Sequence, residues 1–182
     1  MSHCEIIAFK DGKPDESLGC SNAWGGSAYV WDCLYNKYLK DPRKEYDSWL
    51  NAGLAGGSDR RLWDLAKRDD LPSFMRSVHA STFDRAIVSR ENFKQFAADL
   101  REFVAFFGRG ERVVHLETFA KFIDEHPEAE AVGFYGTSVS ENLWYSYDGD
   151  KDESVPYDLS TGESHFEVYE FLAEHATENA VT

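Results

Sequence analysis

Cysteine is scarce: Cys4, Cys20 and Cys33 are the only three in 182 residues. An odd number leaves at least one thiol unpaired, which argues against a disulfide-built scaffold and for a reducing cytoplasm. Structural zinc sites use close pairs such as Cys-x2-Cys. The long gaps here exclude that pattern, even with His3 beside Cys4. No run approaches the roughly 20 apolar residues that a bilayer-spanning helix needs. Residues 1–10 lack a basic stretch followed by an apolar one, so no signal peptide and no membrane association are expected. Gly25-Gly26 and Gly56-Gly57 belong to no phosphate-cradling pattern. The basic residues do not cluster with aromatics as a nucleic-acid reader requires; Arg60-Arg61 and Arg109/Arg112 are small groups offset by nearby acids. Neither direct nucleic-acid binding nor a cofactor is therefore expected.

Bases are missing from one whole region. The net charge is −14. Residues 1–123 carry 18 Lys+Arg and 18 Asp+Glu, whereas residues 124–182 carry 15 acids against one base, Lys151. The entire imbalance thus lies in the last third. Such a field repels nucleic acid and anionic membrane and attracts basic surfaces. Solubility alone accounts for an acidic composition, but solvated faces usually mix signs, and this segment does not.

Hydrophobic content is ample: 42% of residues are apolar and 15% aromatic. Residues 89–108, SRENFKQFAADLREFVAFFG, organise it. Phe93, Phe96, Ala97, Leu100, Phe103, Val104 and Phe107 recur at the helical period, between a Ser89 cap and a terminating Gly108. Arg90, Glu91, Lys94, Asp99 and Arg101 fall on the other faces. Further helices are expected from Ser27 to about Lys40, near Tyr46, Trp49 and Leu50, and after Ser58. Others are expected around Phe74 to Thr82 and around Leu116 to Ile123. Residues 53–57 (Gly53, Gly56, Gly57) punctuate a loop. EIIAFK (residues 5–10) and residues 86–88 read as strands, and DGKPDESLG (11–19) reads as turn. AVGFYGT (131–137) and NLWYSYD (142–148) read as the two strands of one hairpin. Residues 149–163 then form an acidic loop. Ser164-His165-Phe166-Glu167 is a capping box opening a last helix. The order predicts an α+β single domain over residues 1–182, with a small, mainly antiparallel sheet of about four strands and about six helices.

Three sites merit weighing. DGDKDE (Asp148 to Glu153) invites a calcium reading, but an EF-hand loop starting at Asp148 needs Gly where Glu153 stands and Glu where Leu159 stands. Cys20 precedes a helix, a placement that lowers a thiol pKa and makes a nucleophile. His79, His115 or His165 would be its base, although His79 on an apolar helix face reads better as a core histidine. This supports an alternative function, a small thiol-dependent hydrolase or transferase. The late acids are the third: Asp148, Asp150, Asp152, Glu153 and Asp158 in the loop, with Glu163, Glu167, Glu170 and Glu174 at helical steps. Together with Trp144 and the neighbouring Tyr residues as aromatic anchors, they predict an interaction face over residues 124–182. The expected partner is a basic, nucleic-acid-binding protein. The expected function is non-enzymatic inhibition, like that of immunity proteins against nuclease toxins or phage proteins against host defence nucleases, a likeness of charge and size alone. A structural or assembly subunit is the third alternative.

Overall fold

Asp11-Gly12 sets the first turn. Both residues have left-handed backbone, φ 51° and 74°, as a type I′ hairpin loop requires and as Asp-Gly adopts with little strain. The computed structural model describes residues 3–21, 26–40, 60–110, 113–137 and 143–178. In it β1 (His3–Lys10) returns antiparallel as β2 (Lys13–Ser21), with Lys10 opposite Lys13. Most of the segment expected to be turn is therefore strand. Its polar residues and Pro14 read as loop because β2 is the outermost strand, where exposed side chains and a missing donor are tolerated.

β1 and β3 (Ala86–Ser89) flank β4 (Ala131–Thr137), both antiparallel to it, and β7 (Phe166–Glu167) adds a parallel edge beside β3. The sheet is thus five-stranded and mixed, in the order β2-β1-β4-β3-β7. β5 (Tyr145–Asp148) does not pair with β4; it forms a separate hairpin with β6 (Glu153–Pro156). The expected pairing fails because β4 is apolar on both faces. Val132 and Phe134 face one core, Ala131 and Tyr135 another, as befits a central strand with neighbours on both sides.

Six helices are described: α1 (Ser27–Tyr38), α2 (Arg60–Asp64) with a 3-10 turn after it, α3 (Ser73–Ala80), α4 (Phe93–Phe107), α5 (Leu116–Glu125) and α6 (Val168–Glu178). The architecture is α+β with more strands than expected. The expected elements around Tyr46, Trp49, Leu50, Gly53, Gly56, Gly57 and Ser58 lie outside the described residues. No helix among the described residues is long and apolar enough to cross a membrane.

α4 carries the stripe inward: Phe93, Phe96, Ala97, Leu100, Phe103 and Val104 are buried against the helix-facing side of the sheet. Gly108 ends it at φ 75°, its amide bonded to the Val104 carbonyl at 2.8 Å. Two residues of this stretch act otherwise than expected. Ser89 makes no side-chain cap; a 3-10 turn, Arg90–Asn92, comes first. Asp99 does not face solvent. It is 1% exposed because three donors meet its carboxylate: Ser77 Oγ at 2.5 Å, Gln95 Nε2 at 2.7 Å and Tyr169 Oη at 2.7 Å. That network ties α3, α4 and α6 together.

His79, on α3, is fully buried, stacked on Trp63 at 6.0 Å and edge-on to Phe83 at 5.1 Å. Neither ring nitrogen has a hydrogen-bond partner, and burial pushes its pKa down to about 3. Unfolded, the ring titrates near 6.5. Below that pH the unfolded chain binds a proton that the native state refuses, so stability drains away as pH falls from about 6.5 toward 3. His79→Phe is expected to stabilise by about 1–2 kcal/mol at pH 7.5, by removing the unsatisfied polar atoms. At pH 5 the gain should be about 2 kcal/mol larger. Urea titrations of both proteins at the two pH values check this; a gain that does not grow on acidification contradicts it.

Candidate functional site

The acidic hairpin is built around its own first carboxylate. Asp148 Oδ1 accepts from the amides of Asp150 at 3.0 Å and Lys151 at 3.3 Å. The turn thus closes on an aspartate side chain, and Asp152 is left with positive φ, 55°. Lys151, the one base of the last third, reaches back to Asp148 at 3.2 Å and Glu153 at 3.7 Å. Its charge is spent within the turn, and Asp150 and Asp152 stay exposed with no base bonded to them among the described residues. Tyr145 and Tyr147 alternate with Ser146 along β5 and are 41% and 67% exposed; Val155 on β6 is exposed as well. The Tyr147 hydroxyl donates to Asp152, which holds the phenol above its ordinary pKa. The hairpin thus presents acids at the tip and aromatic rings along one strand.

Trp144 is not part of that surface. It is 0% exposed, edge-on to Phe9 at 5.0 Å and Tyr157 at 5.5 Å, and donates its indole N–H to the Phe134 carbonyl at 3.0 Å. The ring lies on the sheet face opposite the helices, over Gly133, where a Cβ would come within 2.7 Å of it. A two-stranded hairpin is marginal alone; this indole fastens it to the sheet. Alternation with Tyr145 and Tyr147 put Trp144 on the opposite side, but the sequence does not say which side faces protein.

Glu167 also turns inward. One oxygen accepts from the Ser89 amide at 3.3 Å and Asn92 Nδ2 at 3.0 Å. The other accepts from the amides of Tyr169 at 2.7 Å and Glu170 at 2.9 Å. Glu167 is therefore the cap of α6, a favourable place for an anion, and the expected box led by Ser164 does not form. The Ser164 hydroxyl instead accepts from Arg85. Asp158 is half-buried beside the β1–β2 turn. It accepts from the Ser160 hydroxyl at 2.5 Å and amide at 2.9 Å, bonds that hold its carboxyl below the ordinary range. Glu163, Glu170 and Glu174 are exposed. Of the ten expected contact residues, the fold gathers Asp148, Asp150, Asp152 and Glu153 in one turn, places Asp158 beside the β1–β2 turn, leaves Glu163 exposed ahead of β7, carries Glu170 and Glu174 on α6, and buries Glu167 and Trp144. Sequence reasoning missed Val155 as a surface residue, because β6 was read as loop.

Cys20 is not at the start of a helix: α1 begins only at Ser27. It stands in β2 opposite Cys4, and burial raises rather than lowers its pKa. Among the described residues no hydrogen bond joins it to a histidine: His165 meets Tyr157 at 3.0 Å and His79 is sealed in the core. Among the described residues no group of three or more His, Cys, Asp or Glu could hold a metal ion. No protein family, characterised protein or solved structure matches the chain.

Proposed function

We propose that the chain is a non-enzymatic acidic binding protein that occupies the basic surface of a nucleic-acid-handling protein, with the β5–β6 hairpin as its contact element. One observation carries the reading: Tyr145 and Tyr147 stand exposed on the strand that leads into the acidic turn Asp148–Glu153. Tyrosine gives a large, stiff contact area and is enriched in interfaces, and carboxylates complement Lys and Arg rows and speed encounter at low salt. An enclosed, oppositely charged partner site would give Asp150 and Asp152 the cations that no described residue of the chain supplies. The net charge of −14 repels nucleic acid, so the partner is the basic protein rather than its nucleic acid.

The test pairs two variants of equal charge. One carries Asp148→Asn, Asp150→Asn, Asp152→Asn and Glu153→Gln. Asparagine keeps the turn-closing acceptor at 148 and tolerates the left-handed backbone at 152. The other neutralises four exposed acids elsewhere, Asp69, Asp84, Glu91 and Glu102. Immobilised proteins are challenged with lysate at low and high salt and the retained proteins identified by mass spectrometry. A basic, nucleic-acid-binding protein held by wild type and by the second variant, released by salt, and held roughly tenfold less by the hairpin variant supports the reading. Equal retention by both variants contradicts it.

A further inference from the structure

We propose that Cys4 and Cys20 form a dithiol site that reacts with small-molecule disulfides and closes to a cross-strand disulfide. The two residues are direct partners in the β1–β2 register. They share a face: Cys4, with Ile6 and Ala8, belongs to the helix-side core, and Cys20, with Leu18, packs against that same core. Directly opposed residues of an antiparallel pair have Cβ atoms about 4.5–5.5 Å apart. A disulfide prefers about 3.5–4.5 Å, so closure asks for a shift of about 1 Å. β2 is the outermost strand of the sheet, held to β1 alone, and is the part of the sheet most able to make that shift.

Exposure divides the work between the two sulfurs. Cys20 is half-buried on the edge strand and is the more accessible of the two, whereas Cys4 is 2% exposed. The Cys20 thiolate attacks one sulfur of a disulfide such as oxidised glutathione. A mixed disulfide forms, and one glutathione leaves as thiolate and takes up the proton Cys20 lost. The Cys4 thiolate then attacks the Cys20 sulfur, forming the Cys4–Cys20 bond and expelling the second glutathione, protonated in turn. Two protein thiols are oxidised and one external disulfide is reduced to two thiols. Burial, joined by a charge on Cys20, pushes the Cys4 thiol up to about 12. Thiols of raised pKa exchange slowly at neutral pH and are poor leaving groups, so the bond forms slowly and then persists.

The experiment incubates the full chain with oxidised glutathione, blocks remaining thiols, and digests without reduction; cleavage after Lys10 separates the two cysteines. The expected product is a Cys4–Cys20 linked peptide pair, with Cys33 recovered blocked. The unfolding midpoint should rise on oxidation and return with dithiothreitol. Cys33→Ser should give the same link. Cys4→Ser should hold glutathione on Cys20 as a lasting adduct, the resolving thiol being gone. A wild-type chain that stays reduced, that stops at a glutathione adduct on Cys20, or that links either residue to Cys33 overturns the proposal.

Discussion

Trp144→Ala is expected to cost about 3–5 kcal/mol, the range for deleting a buried aromatic side chain. The indole is fully enclosed between Phe9 and Tyr157 and bonded to the Phe134 carbonyl. Removing it takes the largest side chain out of the cluster on the sheet's second face, which it forms with Ile7, Phe9, Ile87, Ala131 and Tyr135. Trp144→Phe should recover much of the packing but forfeit the N–H bond, about 1 kcal/mol. Gly133→Ala approaches the same contact from below, because its Cβ would stand 2.7 Å from the indole and 2.8 Å from Phe9. Chemical denaturation of the three variants checks the set. A loss below about 1 kcal/mol for Trp144→Ala would mean that the ring is not packed as described, and would return it to the surface where the sequence alone had put it.

Asp99→Ala is expected to cost about 3 kcal/mol or more. It strands the buried hydroxyl of Ser77 and the half-buried one of Tyr169, and each such donor left without an acceptor costs about 1–3 kcal/mol; the exposed Gln95 amide turns to water instead. Three helices lose their shared tie, so the loss should be cooperative rather than confined to α4. Tyr169→Phe removes only one donor and should cost about 1 kcal/mol. Asp99→Asn, which keeps one acceptor oxygen, should fall between. Urea midpoints rank the three; Asp99→Ala no worse than Tyr169→Phe contradicts the network.

The contrast between these two residues shows what a sequence discloses. The helical period of Phe93, Phe96, Leu100 and Phe103 is written in the spacing itself, so α4 and its buried side were legible. So was Gly108, because few residues accept its backbone. Asp99 was not: its burial depends on Ser77 and Tyr169, which lie 22 and 70 residues away. Glu167 misled for the same reason, since its helical step among Glu163, Glu170 and Glu174 looks like a solvated face until Ser89 and Asn92 arrive from another part of the chain. Local signals also competed. Asp11-Gly12 announces a two-residue hairpin loop, but the prolonged polarity of residues 13–17 concealed the strand beyond it. The acidic turn was visible as composition and its aromatic neighbours as candidate anchors, whereas which of them face out required knowing that Trp144 points inward and Tyr145 and Tyr147 do not.

Hydrogen exchange on the chain alone and bound to its captured basic partner tests the contact element most directly. Binding through the hairpin predicts that backbone amides of residues 145–156 become at least several-fold slower to exchange in the complex, and that the protection fades as salt weakens the complex. Protection confined to α6 or to the helix-facing side of the molecule, with residues 145–156 exchanging as in the free chain, contradicts the account.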